Sequence, residues 1–404
     1  MKKLLLLFLG LSGTWASAQN ILDNKVTFKY TQLPAVKIND ATKTYSVEVS
    51  MSYQQRNTDS TNAYDLASKN YLTTLSTYMD AYDQQKAQID RQHLNNMIIW
   101  ENQVIAGNTT AVAPVKPPYP GMNPPVRPKK PFLIKEIQPT SIIPAIKIDG
   151  LTQNTGSAAK IKIVFEGFEK GMIKLEQSGT APAIKYFYSI QYRHPLSLQV
   201  EAAGKGMVYS QRMAETEGFR SWRTKEFKTK SELELWWYDN ENIVWEERQT
   251  QAIQENISVL NSYFVSTYGY PVQSRRIELY SAKQKNIDYS DVQKAYSTME
   301  TALLMLAYPD KIQQAQAKLQ EALGMYNQIL QESNPNDKKA RVDANVTSAC
   351  LVNMTEAYIW LNDYSNAEMT ANKVITIGVN KYERDARAHL EFIRFQQARY
   401  AANQ

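Results

Sequence analysis

Apolar and polar positions alternate along residues 25–53. Val26, Phe28 and Tyr30 take every second place, and Tyr45, Val47, Val49 and Met51 do the same after a turn at Asn39-Asp40. A period of two marks a strand with one covered face, so this spacing predicts two strands. The period then changes. Between 60 and 106 there is no Gly or Pro, and Tyr71, Leu75, Tyr78 and Tyr82 fall at i, i+4, i+7 and i+11. Ile89, Leu94, Met97, Ile98 and Trp100 extend the stripe, and Gly107 offers a stop. This is the spacing of one long helix or a helical hairpin. The expected role of the tyrosine stripe is packing on the protein's own sheet. The other reading is a projecting arm that grips a partner.

Strand periodicity returns over 132–212. Candidate strands are 161–165, 172–175, 184–192, 196–200 and 207–209, punctuated by Gly171, Gly179, Gly204 and Gly206. They predict an antiparallel layer forming a sandwich with the first β unit. Leu33-Pro34-Ala35-Val36-Lys37-Ile38-Asn39-Asp40 also lines up with Ile143-Pro144-Ala145-Ile146-Lys147-Ile148-Asp149-Gly150, and each is followed by an alternating strand, at 43–51 and 160–168. The match predicts a duplicated β unit in which Pro enters a first or edge strand position and the turn residues follow. Two unrelated strands with common turn chemistry are the alternative.

Two segments stand apart in composition. Eight of the 16 prolines lie between Pro114 and Pro131, and no acid occurs between Glu101 and Glu136 while Lys116, Arg127, Lys129, Lys130 and Lys135 do. Such density favours extended polyproline II. A strap returning the chain from the helical insertion is expected, with a docking sequence for an aromatic groove as the alternative. Further on, Trp222, Trp236, Trp237 and Trp245 give four of the seven tryptophans. They are expected to fill a seam between the β and helical parts. Exposed, they would form a glycan-stacking surface. A helix is predicted from 243 to 268 and a strand around 277–281.

From 288 onward the pattern is helical, with breaks near Pro309, Asn334-Pro335-Asn336, Asn362-Asp363 and Gly378. Around the third break, Ala357, Tyr358, Leu361, Asp363, Tyr364 and Ala367 resemble the centre of a tetratricopeptide repeat, with Asn362 in place of the usual Gly. Ala322, Tyr326 and Ile329 resemble a preceding second helix, but the interval from Ala322 to Ala367 is 45 residues, not the 34 of the family. The resemblance therefore implies a first helix lengthened by about three turns, over 338–361. It also implies a groove for a protein partner, lined by Val352, Asn353, Glu356 and Trp360. Val352 and Glu356 depart from the family members that clamp a peptide carboxylate.

The first 18 residues read as an export leader. Lys2 and Lys3 precede an apolar run from 4 to 11 and the small-residue site Ala16-Ser17-Ala18, so cleavage before Gln19 is expected. The leader resembles those of Bacteroidota envelope proteins. No cysteine stands directly after the run, so no lipid anchor is expected. With no β-rich segment after the last helix, a periplasmic location is expected over the cell surface or exterior.

A net charge of +6 is too thin for a nucleic-acid face, and one Cys and three His argue against disulfides, metal and cofactors. No nucleophile elbow, zinc-binding helix or phosphate loop is present.

The expected architecture is α+β and multidomain. The leader (1–18) precedes duplicated antiparallel β units (19–58 and 132–215), which flank a helical insertion (59–107) and a Pro-rich strap (108–131). A Trp-rich bridge (216–287) leads to a tetratricopeptide-like domain (288–404). The expected function is a non-catalytic periplasmic adaptor holding another envelope protein through Asn353, Glu356 and Trp360. The alternative is a secreted glycan-binding protein using Trp222, Trp236, Trp237 and Trp245.

Overall fold

The computed structural model describes residues 21–284 and 287–404. The expected leader and its cleavage site lie outside the described residues. About 51% of the chain is helix and 20% strand, in several sheets followed by a helical region.

β1 (Ile21–Thr31) leads through an irregular segment to β2 (Thr44–Met51), and α1 (Gln54–Ile105) follows. An extended segment without helix or strand returns to the one-turn α2 (Pro139–Ile142) and a 3-10 turn at Ile143–Ala145. Then come β3 (Thr152–Gln153), β4 (Lys160–Phe165), β5 (Glu169–Ser178), β6 (Lys185–Arg193), β7 (Leu196–Ala202), β8 (Gly206–Arg212), the short α3 (Ala214–Glu217) and β9 (Arg220–Arg223). α4 (Lys230–Tyr268) and β10 (Val272–Ala282) precede α5 (Ser290–Met305), α6 (Ile312–Leu330), α7 (Ala344–Trp360), α8 (Tyr364–Ile377) and α9 (Asn380–Ala402).

Two cores result. In the first, β2, β4, β6 and β7 share a core with α4, where Phe165, Leu198, Trp245 and Phe264 are buried together. The sheet order is β3-β2-β4-β7-β8, with β5-β6-β9 beside it. α4 begins 13 residues before its predicted start because Thr229 and Glu232 form a reciprocal capping box, which satisfies the first free N–H groups. In the second core, β1 pairs antiparallel with β10 as a ribbon packed among α5, α6 and α7. Arg399 on α9 ties the two cores together by donating to the carbonyls of Leu33 (2.6 Å) and Ser266 (3.1 Å).

Three expectations are corrected here. β1 joins neither a first β unit nor a sandwich. Its apolar face of Val26, Phe28 and Tyr30 is covered by the helical array, while α4 covers the main sheet. Neither matched proline enters a strand, since Pro34 is in irregular backbone and Pro144 in the 3-10 turn. The strands that follow them, β2 and β4, pair in parallel, not antiparallel. What the matched segments share is an isoleucine plug: Ile38 and Ile148 are both buried in the same core. Finally, the extra residues before the repeat-like turn are not helix. α7 starts at Ala344, capped by Asp343, and the preceding loop is held by Arg341 bridging Asp291 and Glu332.

α1 is a single 52-residue helix with no buried residue. It ends where Gly107 takes φ +89°. The expectation that the tyrosine stripe packs on the protein's own sheet is corrected, since α1 makes no extensive contact with a strand. Its positions Tyr71, Leu75, Tyr78 and Tyr82 are half-covered, and Tyr78 meets the Pro-rich strap at Asn123. The strap runs back along the helix. Trp100 Nε1 donates to the Ala111 carbonyl (3.1 Å), Tyr119 Oη to Asp90 (2.8 Å), and the Asn123 N–H to Tyr78 Oη (2.6 Å). At the root, the Asn57 amide pairs with both the N–H and the C=O of Ile134 (2.9 and 2.7 Å).

The two rises match. Asn57 to Trp100 spans 43 residues, about 65 Å of α-helix, and Ala111 to Ile134 spans 23, about 71 Å of polyproline II. Ala111, Pro114 and Pro120, then Pro125, Pro128 and Pro131, are half-covered in multiples of three, the period of that conformation.

Candidate functional site

The predicted groove residues lie on α7, the most enclosed helix of the array. Thirteen of its 17 residues are buried, and no charged side chain occurs between Asp343 and Glu356. A helix apolar on all sides becomes a core helix, so α7 has no face left to line an open groove. The groove assignment of Asn353, Glu356 and Trp360 is thereby corrected, because the protein's own β1–β10 ribbon occupies the place of a ligand.

The manner of occupation is specific. The Asn353 side chain pairs with the backbone of Tyr280 as a neighbouring strand would. Its Oδ1 accepts from the Tyr280 N–H (3.0 Å), and its Nδ2 donates to the Tyr280 carbonyl (2.7 Å) and to Tyr326 Oη (2.8 Å). Val352 is buried beside it.

Glu356 accepts both arms of a bidentate pair with Arg275 of β10 (2.8 and 2.8 Å) and a bond from Trp360 Nε1 (2.8 Å). His389 Nε2 lies 2.8 Å from its second oxygen. Burial by itself drives this carboxyl's pKa up. The Arg275 charge, with hydrogen bonds from Arg275 and His389, overrides burial and holds it well below the usual carboxylate range. The Arg275 guanidinium also lies 3.6 Å from the centre of the Phe392 ring. Trp360 is half-buried, edge-on to Phe28 (5.4 Å) and Tyr30 (4.7 Å) of β1. These groups anchor the ribbon to α7 and α9. Sequence reasoning missed Arg275, whose position inside an alternating strand carried no local signal for a partner 81 residues away.

The tryptophan cluster is likewise turned inward. Trp245 is fully buried, with Nε1 donating to Glu241 (3.2 Å), which removes it from any glycan platform. Trp236, Trp237 and Trp222 are half-buried around it. Trp237 meets Trp245 edge-on at 6.0 Å, Phe227 lies 5.5 Å from Trp236, and Arg248 covers Trp222 at 4.4 Å. This is the seam-filling arrangement, in which each indole meets rings or cations of its own chain.

His93, His194 and His389 lie on α1, beside β7 and on α9, and among the described residues no group of three or more His, Cys, Asp or Glu converges as a metal would need. His194 is fully buried among Tyr53, Phe165 and Phe168. Burial first, with the charges of Arg220 and Arg56, pushes its pKa down to about 4. Cys350 is buried, and burial pushes its thiol up to about 12, so it behaves as a small apolar filler. A depression of about 720 Å³ at the foot of the ribbon is lined by both acids and bases, including Asp23, Glu278, Glu300, Lys381 and Arg384. No helix among the described residues is long and apolar enough to cross a membrane.

The longest element outside the cores is the arm formed by α1 and the strap. Compared with protein-family models, curated proteins and solved structures, the chain matches none.

Proposed function

We propose that the protein is an exported, non-catalytic adaptor of the cell envelope whose partner-binding element is the arm. A helix of 52 residues without one buried position carries this reading. Only a seam of half-covered residues meets the strap, and no described helix or strand packs extensively along α1. Ordering some 80 residues of helix and strap in this way loses conformational entropy with little buried apolar area in return. A surface built at that cost is used by something outside the chain. The strap offers five cations and no acid from 102 to 135, which suits an acidic protein surface. In this reading the helical array, whose residues 357–367 resemble a tetratricopeptide turn in sequence, is a closed scaffold that holds its own ribbon and supports the arm's base.

Excision tests this directly. Asn57 and Ile134 are hydrogen-bonded neighbours, so residues 60–130 are replaceable by a short Gly-Ser turn. The excised protein is expected to fold, with a melting midpoint within about 3 °C of the parent. It should lose the partner that co-purifies with the intact protein from its own envelope. Retention of that partner by the armless protein would assign binding to the body instead.

A further inference from the structure

We propose that the tip of the arm docks on a lipid bilayer, inserting its apolar side chains at the interface while Lys86, Arg91 and Lys116 lie toward anionic headgroups. Between 92 and 115 Glu101 is the one Asp, Glu, Lys or Arg. Leu94, Ile98 and Ile105 share one exposed face of α1, at i, i+4 and i+11. Ile99 is exposed on another face, and Val112 and Val115 project from the strap at its period of three, 88% and 90% exposed. The tip is thus apolar on several sides, where a docking helix for a protein groove carries a single stripe. Such a shape suits a medium that surrounds it.

Behind the tip sits a band of aromatic and cationic groups. Tyr119 lies under the ammonium groups of Lys86 (5.1 Å) and Lys116 (4.6 Å), and Arg91 is close in sequence. Asp90 pairs with Lys116 and Asp83 also falls in this band, so Lys86, Arg91 and Lys116 leave a small positive balance there, while Arg127, Lys129 and Lys130 lie about 50–60 Å of polyproline II beyond Ala111, toward the root. Amphipathic rings and cations at the level of the headgroups are the usual boundary of an inserted segment. A second copy fits less well. Of the other exposed apolar positions of α1, Leu72 and Met79 fall outside the tip's heptad register, and Leu66 lies four heptads before Leu94 with Thr73, Asp80 and Ala87 between them, so no coiled-coil seam runs along the helix.

The inference is independent of the protein partner proposed above, because it uses only the last turns of the arm. Its test is flotation of the full chain, without its leader, with vesicles of phosphatidylethanolamine and phosphatidylglycerol, and with vesicles of phosphatidylcholine alone. Binding is expected to the first and to be weaker to the second. Ile98→Asp with Ile105→Asp should reduce binding at least about tenfold. Val112→Asp with Val115→Asp should do the same without touching α1, which guards against local melting of the helix. Glu101→Gln should strengthen binding. No flotation with either vesicle overturns the inference, as does flotation that both paired variants leave unchanged. Self-association of the full chain in sedimentation, abolished by the same variants with no flotation, would assign the tip to a second copy. Failure here with partner capture intact leaves the adaptor reading standing. Loss of both only on arm excision, with the tip variants inert, overturns the lipid site alone.

Discussion

α7 and α1 are both regular helices, and they are stabilised in opposite ways. α7 is short and surrounded, with Asn353 and Glu356 spending their polar groups on the ribbon. α1 is three times longer and touches little besides a strap of matching rise. In α7 the tertiary contacts hold the helix. In α1 the local terms do more: an interior free of Gly and Pro, hydrogen bonds within its own turns, and an extended partner that is already stiff before it docks. The difference teaches where sensitivity should lie. Changes at α7 should unfold the domain, and changes along α1 should loosen the arm without moving the global transition.

The largest expected effect is at the buried carboxylate. Glu356→Ala leaves the largely covered Arg275 guanidinium without its carboxylate, and should cost about 3 kcal/mol in urea denaturation. A loss below about 1 kcal/mol would mean that the ribbon is not anchored there, and the groove would be open after all.

Next is His194. Its pKa falls from 6.5 in the unfolded chain to about 4 when folded, so between these values the unfolded state holds more protons. Stability should therefore fall as pH drops through that window, by about 3 kcal/mol in total, with no contribution above it. His194→Leu should flatten the window. The loss due to Glu356 should remain, because its stabilisation is present above the ordinary glutamate range and disappears only as pH falls below it. An unaltered pH profile in His194→Leu would place the acid sensitivity elsewhere.

Ala367→Leu is expected to cost about 1–3 kcal/mol, since Ala367 is fully buried on α8 and any added volume meets a filled crossing. A neutral outcome would indicate slack between α8 and its neighbours.

The smallest global effect belongs to the arm. Tyr78→Phe removes the bond from the Asn123 N–H, worth about 1 kcal/mol locally. It should speed proteolysis of the strap near Asn123 while leaving the melting midpoint unchanged. A clear drop in that midpoint would show that arm and body unfold together, and would erase the contrast with α7.

Much of the local structure was legible in the residues. Period two and period 3.6 located most strands and helices, and Asn362 takes the left-handed turn, φ +59°, that its place in the repeat-like motif required. Proline density foretold an extended strap. Capping chemistry would have corrected the start of α4, for Thr229 and Glu232 stand in plain view three residues apart. The absence of charge from 344 to 355 was a signal that α7 is enclosed, and it weighed against any groove on that helix.

What lay beyond the residues was which face meets which. Alternation shows that Val26, Phe28 and Tyr30 share a side, yet it cannot say whether a sheet or a helical array covers them, since both present the same apolar medium. The tyrosine stripe of α1 had a like ambiguity between the protein's own sheet and an outside partner, and the strap that meets it was in neither reading. It was resolved by a length match between α-helix and polyproline II that appears only when both ends are fixed in space. Arg275 and Glu356 are 81 residues apart, and no local spacing relates them. Local periodicity follows from backbone geometry, which each segment carries alone. The choice of partner follows from burial and pairing, which belong to the folded chain as a whole.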